Sequence, residues 1–258
     1  MLSGAVLVTG GASGIGRAAA LACARRGAKV AVLDIDGNAA SRVANELRER
    51  CGCDAVGVPC DVRDEASVVG AVASAANTLG PLRGLVASAG IDRGGMAHEL
   101  PLDRWLDVLG TNLTGTFLAC KHTLIHLLAQ GAGGSIVCVS SPWAEVSVPG
   151  GVSAYCASKG GVAALVRSLG LDYARHSIRV NAVVPGPTDT RLMWANVKPT
   201  EVPAIRGRIE QQLVFGRLAE ADEIAAGIVW LLSDEASYVT GSQLVIDGGL
   251  LARGSIEA

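Results

Sequence analysis

Ala5-Val6-Leu7-Val8-Thr9-Gly10-Gly11-Ala12-Ser13-Gly14-Ile15-Gly16 is the stretch that decides the fold. Its first five residues are apolar or β-branched without alternation, as in a parallel strand buried on both faces. Glycines at 10, 14 and 16 then permit a tight turn and leave no side chain between backbone and a pyrophosphate. A helix opening at about residue 14 presents its unpaired N–H groups and partial positive charge to that anion. A glycine-rich loop alone is weak evidence. Between the first strand and first helix of an alternating chain it reads as a dinucleotide-binding turn.

The alternation continues outward from this turn. Strands are expected at 5–9, 29–34, 55–58, 84–87, 135–140, 179–184 and 244–247, and helices at about 14–26, 38–50, 64–79, 103–130, 155–175 and 222–232. The pattern predicts an α/β fold: one Rossmann-type domain over 1–258, a doubly wound parallel sheet of about seven strands with helices on both faces. One segment breaks the rhythm. From Pro185 to about Gly216 no clean strand is seen, and prolines recur at 185, 187, 199 and 203. Because it follows the carboxyl end of a strand, where open α/β sheets bind ligands, 188–216 is expected to be a substrate-binding lid.

The second strand ends in Asp34, 18 residues after Gly16. A carboxylate there can accept hydrogen bonds from the adenosine ribose hydroxyls and would repel a 2′-phosphate. Ile35 and Asp36 follow it, not a base, and Ser13 in the loop is neutral. Arg17 is basic and near in sequence, but at the start of the helix it could equally face solvent. The balance favours NAD over NADP as cofactor.

Composition narrows the remaining classes. The 258 residues are half hydrophobic but only 3% aromatic, so Ala, Val, Leu and Ile must fill the core. Net charge is -2 and no Lys/Arg run exists, so a nucleic-acid partner has no electrostatic support. The opening residues lack a basic region and a cleavage-like site and read as a strand, not a signal peptide. No run of about 18 apolar residues spans a membrane. Seven scattered cysteines, an odd number, fit free thiols in a reducing compartment, and a cytoplasmic location is expected. Cys51-Gly-Cys53 has no second Cys/His pair at ligand spacing, and His122 with His126 lacks a third ligand, so no metal is expected.

Tyr155-Cys-Ala-Ser-Lys159 places Tyr155 and Lys159 at i,i+4, on one face of a helix. A neighbouring ammonium and an oxidised nicotinamide would each stabilise the phenolate and bring a tyrosine below its ordinary pKa of about 10. It could then exchange a proton with an alcohol or carbonyl oxygen near neutral pH. Asn112, inside Leu-Gly-Thr-Asn-Leu-Thr-Gly-Thr-Phe, is costly in an apolar helix unless it has a partner.

Taken in order, the motifs make the whole chain resemble a short-chain dehydrogenase/reductase of the single-domain branch. They are TGGASGIG at 9–16, Asp61-Val62, Ala89-Gly90, Asn112, Ser141, Tyr155-Cys-Ala-Ser-Lys159, Pro185-Gly186-Pro187-Thr188-Asp189-Thr190, Thr240-Gly241 and Asp247-Gly248-Gly249. The resemblance implies a catalytic set of Asn112, Ser141, Tyr155 and Lys159. Ser141 would hydrogen-bond the substrate oxygen, Lys159 the nicotinamide ribose, and Asn112 a water connecting the lysine to solvent. Gly10, Ser13, Gly14, Ile15, Gly16, Asp34, Asp61, Val62, Ala89, Gly90, Tyr155, Lys159, Pro185, Gly186, Thr188 and Thr190 would contact the cofactor. Asp61 and Val62 would meet the adenine, and Thr188 and Thr190 the nicotinamide carboxamide. A homotetramer formed through the long helices and the C-terminal segment is implied as well.

Two departures stand out. The family commonly has Asn-Asn-Ala-Gly where this chain has Ala87-Ser88-Ala89-Gly90, and Ser88 is the candidate substitute for one lost amide. The Ser141–Tyr155 interval is 14 residues, one more than usual, which Pro149-Gly150-Gly151 would absorb; Ser140 is the reserve for the serine.

The expected function is NAD(H)-dependent interconversion of a secondary alcohol and a ketone, with a small-molecule alcohol or ketone as partner. The alternative is a non-catalytic dinucleotide sensor or scaffold on the same fold. The pocket is expected to involve Ile91, Asp92, Arg93, Pro142, Trp143, Ala144, Glu145 and the lid. Trp143 and Trp194 could stack on a ring, and Arg93, Arg191 and Lys198 could neutralise an anion.

Overall fold

In the computed structural model, which describes residues 1–253, seven strands form one parallel sheet in the order β3-β2-β1-β4-β5-β6-β7. The strands are β1 (Ala5–Thr9), β2 (Lys29–Asp34), β3 (Ala55–Pro59), β4 (Leu82–Ala87), β5 (Gly134–Val139), β6 (Ile178–Pro185) and β7 (Gln243–Ile246). Each falls within two residues of its expected bounds. Residues 254–258 of the expected domain lie outside the described residues.

Successive side chains on a strand point to opposite faces, and this divides the core in two. Val6, Val8, Val30, Val32, Val137 and Val183 face one side, packed against α1 (Gly14–Arg25), α2 (Gly37–Cys51) and α8 (Ala221–Leu232). Leu7, Leu33, Leu85, Ile136 and Ala182 face the other, under α3 (Glu65–Leu79), α5 (Gly115–Gln130) and α6 (Ser153–Tyr173). With helices on both faces, every strand needs an apolar side chain at nearly every position, which is why the strands read as unbroken apolar runs. The order reverses between β1 and β4. Connections from those two strands leave on opposite sides and open a crevice at their carboxyl ends.

The long helix expected at 103–130 is broken. α4 (Leu102–Leu109) passes through a π-helical turn at Gly110–Thr114 before α5 resumes. The expected irregular stretch also contains more structure than its prolines imply. Pro203 stands in the first turn of α7 (Val202–Gln212), where its missing N–H costs nothing.

Among the described residues no helix is long and apolar enough to cross a membrane, and no group of three or more His, Cys, Asp or Glu side chains could hold a metal ion. All seven cysteines are free thiols.

Candidate active site

The crevice floor is built by the glycine turn. Gly10 adopts φ +63°, and a Cβ on it would lie 2.8 Å from the Cα of Ala89. On Gly16 a Cβ would lie 2.2 Å from the carbonyl oxygen of Gly10. Only glycine therefore lets the turn fold back on itself and lie against the loop after β4. Thr9 locks the two together: its hydroxyl accepts from the N–H groups of Ser88 (3.2 Å) and Ala89 (3.3 Å). That bond was not legible as a site feature, and it holds the loop where the Asn-Asn pair is missing. Ser13 is exposed at the N-cap of α1 but makes no side-chain capping bond. The N–H groups of Gly14, Ile15 and Gly16 thus open toward the crevice without an intrahelical partner. A cradle of this kind, free of side chains and lined by donors, fits a pyrophosphate.

Asp34 stands at the end of β2 as expected. One carboxylate oxygen accepts from Ala12 N–H at 3.1 Å and the other from Asp36 N–H at 3.1 Å, so the acid also ties down the glycine turn. Arg17 does not face the crevice freely. Its guanidinium grips both carboxylate oxygens of Glu46, 29 residues away on α2. Asp61 is likewise engaged by Arg63, whose Nη2 lies 2.8 Å from it and holds its carboxyl below the usual carboxylate range. Val62 is buried, and a Cβ on Gly115 would lie 2.6 Å from its Cγ2, so α5 seats directly against it.

Asn112 occupies the π-helical turn and is completely buried. Its amide donates to Ile91 O at 2.9 Å and to Ser158 Oγ at 3.1 Å, while its Oδ1 accepts from Ile91 N–H at 2.8 Å. The partner demanded by a polar residue in an apolar helix is therefore the loop after Gly90, joined to the helix that carries Tyr155. The backbone carbonyl of Asn112 accepts from the Thr116 hydroxyl at 2.7 Å.

α6 brings Tyr155 and Lys159 to one face. Lys159 is buried, donates to Val139 O at 2.7 Å, and has its Nζ 5.6 Å from the centroid of the Tyr155 ring. Burial holds this ammonium down to about 8, with the Cys138 thiol opposing. The expectation that the lysine would draw Tyr155 below its ordinary value is corrected for the cofactor-free protein. Crowding around the half-buried phenol pushes it up to about 12, against the hydrogen-bonding influence of Ser141, and the charge of Asp92 adds to the rise. Burial, which disfavours the charged phenolate, is the largest cause.

Ser141, not Ser140, meets Tyr155. Its hydroxyl also accepts from Trp143 N–H at 3.2 Å and caps a short turn at Pro142–Ala144. Ser140 is buried with its hydroxyl toward the Lys159 carbonyl at 3.5 Å. Gly150 and Gly151, in the interval between Ser141 and Tyr155, both adopt positive φ.

After β6 the chain crosses back over the crevice. Gly186 donates to Ile246 O at 2.9 Å, and the buried Thr188 turns its hydroxyl onto Gly186 O at 2.8 Å. Thr190 reaches the glycine turn, its Cγ2 3.4 Å from the point a Cβ on Gly14 would occupy. Trp194 is not a free stacking surface: its indole N–H donates to Asp189 at 2.8 Å and Arg206 of α7 lies over its ring at 5.4 Å. Arg206 is also paired with Asp189. Nothing in the spacing of Asp189, Trp194 and Arg206 announces this cluster. Arg93, Arg191 and Lys198 are exposed.

Comparison with known proteins agrees with this geometry. The family model described as enoyl-(acyl carrier protein) reductase matches residues 10–251. The chain is 38% identical to 2-(S)-hydroxypropyl-CoM dehydrogenase 3 of Xanthobacter autotrophicus, over 96% of each chain. It is 43% identical to cis-4-hydroxycyclohexanecarboxylate dehydrogenase of Sinomonas cyclohexanicum, over 95% of this chain and 96% of the other. A solved structure of an actinorhodin polyketide ketoreductase variant with NADPH superposes with a TM-score of 0.89 at 35% identity, covering 96% of this chain and 97% of that one. The glycine cradle, the Ser141–Tyr155–Lys159 cluster and these whole-chain matches together place this protein in the short-chain dehydrogenase/reductase family.

Proposed function

We propose that this protein is an NAD(H)-dependent dehydrogenase interconverting a secondary alcohol and a ketone, with Tyr155 as general acid/base. The observation that carries the reading is the cluster in which Ser141 and the buried Lys159, its Nζ 5.6 Å from the ring centroid, stand beside Tyr155 next to a glycine cradle that a side chain would fill. Bound in that cradle, the dinucleotide supplies hydride exchange at its nicotinamide ring.

The protein's own part is to bind, orient and move a proton. The N–H groups of Gly14, Ile15 and Gly16 hold the pyrophosphate, and Asp34 accepts from the adenosine ribose. Val62 and Asp61 would contact the adenine and Thr188 and Thr190 the nicotinamide carboxamide, with Ala89, Gly90, Pro185 and Gly186 as further residues that would hold the cofactor. Ser141 donates to the substrate oxygen. Tyr155 takes the alcohol proton during oxidation and returns it during reduction. Lys159 anchors the ribose hydroxyls and lowers the phenol from its cofactor-free value, aided by the positive charge of the oxidised cofactor. Asn112 holds the Gly90–Ile91 loop and the Tyr155 helix in register beside the proposed water link from Lys159 to solvent. The sensor alternative gains no support from this intact set.

NAD is favoured over NADP because Asp34 projects at the end of β2 and Arg17 is committed to Glu46, leaving no guanidinium to greet a 2′-phosphate. One domain carries the whole site, with 188–216 as its lid; the Asp189–Trp194–Arg206 cluster gives that lid a rigid base. Exposed Leu106 and Phe117 on the long helices, and Trp230 and Val245 toward the C-terminal segment, support the homotetramer. Seven free thiols suit a cytoplasmic location.

The test is Tyr155→Phe, assayed at 340 nm over secondary alcohols with NAD. Turnover should fall on the order of 10²–10⁴-fold while NAD binding persists by fluorescence titration. Undiminished turnover would remove Tyr155 from the chemistry.

A further inference from the structure

Ile91 is held by Asn112 at both its N–H and its C=O, and this fixes the residue that follows. Asp92 emerges from the anchor half-buried, two residues beyond Gly90, on which a Cβ would lie 3.9 Å from Lys159 Nζ, and its charge opposes loss of the Tyr155 proton. The lid meets it from the opposite side: Asn196 Nδ2 donates to Asp92 Oδ2 at 3.3 Å. Farther along the loop, Gly95 N–H donates to Gly151 O at 2.9 Å, just ahead of α6. The π-helical turn, the lid and the segment just ahead of α6 thus fix the loop that carries the carboxylate.

Among the described residues Asp92 has no ion-pair partner. Arg93 is exposed and offers only its backbone N–H. The Asn196 amide occupies one of the roughly four acceptor positions of a carboxylate. A half-buried anion with spare acceptor capacity and no ion-pair partner draws hydroxyl donors and repels other anions.

We infer that Asp92 sets the substrate class, so that the site takes an uncharged secondary alcohol bearing a second hydroxyl, a diol or polyol, and excludes alcohols bearing a carboxylate or sulfonate. The inference rests on the dehydrogenase reading above. It makes Asp92 a specificity-determining residue.

The experiment compares matched pairs with NAD at pH 8, following NADH at 340 nm. The pairs are cis-4-(hydroxymethyl)cyclohexanol against cis-4-hydroxycyclohexanecarboxylate, D-threitol against D-threonate, and 5β-cholane-3α,24-diol against lithocholate. Cyclohexanol and 2-butanol serve as plain alcohols. Repulsion between two unit charges about 8 Å apart at an intermediate dielectric corresponds to roughly a 30-fold preference in kcat/KM for the neutral member. Asp92→Asn, which keeps an acceptor for Asn196, should collapse that ratio by about the same factor. A wild-type preference for the acids overturns the proposed substrate class, and a ratio unmoved in Asp92→Asn while the alcohols still turn over overturns the role of Asp92. No NADH from any compound overturns the dehydrogenase reading and this inference with it.

Discussion

Burial of Lys159 should make the cofactor-free protein gain stability as the solution becomes alkaline, in a way that a neutral residue of similar length abolishes. Folded Lys159 has its ammonium held down to about 8, against an ordinary value of 10.5. The sign follows from proton counting. Between these two values the unfolded chain binds more protons than the folded one, so stability rises with pH. Below about pH 8 the lysine is charged in both states and the full cost of burying the charge is present; above about 10.5 it is neutral in both and the cost is gone. From pH 7.5 to pH 10 the gain amounts to about 2 kcal/mol.

Other groups titrate nearby, Tyr155 and the buried thiols of Cys23 and Cys60 among them. Their contributions cancel when wild type is compared with Lys159→Met at each pH. Urea unfolding of both proteins without cofactor should therefore show the wild type climbing by about 2 kcal/mol relative to the variant between pH 7.5 and pH 10, the cost of the buried ammonium being present at the low end and gone at the high end. Parallel pH profiles would show that Lys159 is not carried as a buried, strained cation, and its 2.7 Å bond to Val139 O would need another explanation.

Two further substitutions probe the long-range contacts. Asp34→Asn keeps an acceptor for Ala12 N–H but removes the charge, and should raise NADP use relative to NAD on the order of tenfold; an unaltered ratio of kcat/KM values would contradict the role given to that carboxylate. Asn112→Ala strands the N–H and C=O of Ile91 in a buried setting and should cost roughly 2–4 kcal/mol by urea unfolding; a loss below about 1 kcal/mol would mean the loop finds other partners.

Much of the architecture was legible because its causes are local. A strand buried on both faces must be an unbroken apolar run, and a turn that presses its own backbone must use glycine, so the strand bounds and the Gly10–Gly16 cradle could be read residue by residue. The i,i+4 spacing of Tyr155 and Lys159 placed them together for the same reason. The break at Gly110–Thr114 was not legible: helical periodicity runs through it, and only the need to bring Asn112 against Ile91 and Ser158 marks its purpose.

What the sequence by itself determined, then, is the βα alternation, the glycine cradle and the placing of Tyr155 and Lys159 on one helix face, all consequences of short-range sterics and periodicity. The tertiary structure alone decided which charges are spent and which remain. It paired Arg17 with Glu46, tied Trp194 to Asp189 and Arg206, and left Asp92 uncompensated beside Tyr155. It also moved Tyr155 up and Lys159 down by burying both. These outcomes depend on the packing of segments up to 104 residues apart, as Asp92 and Asn196 are, because desolvation and ion pairing are set by which surfaces meet and not by neighbours along the chain.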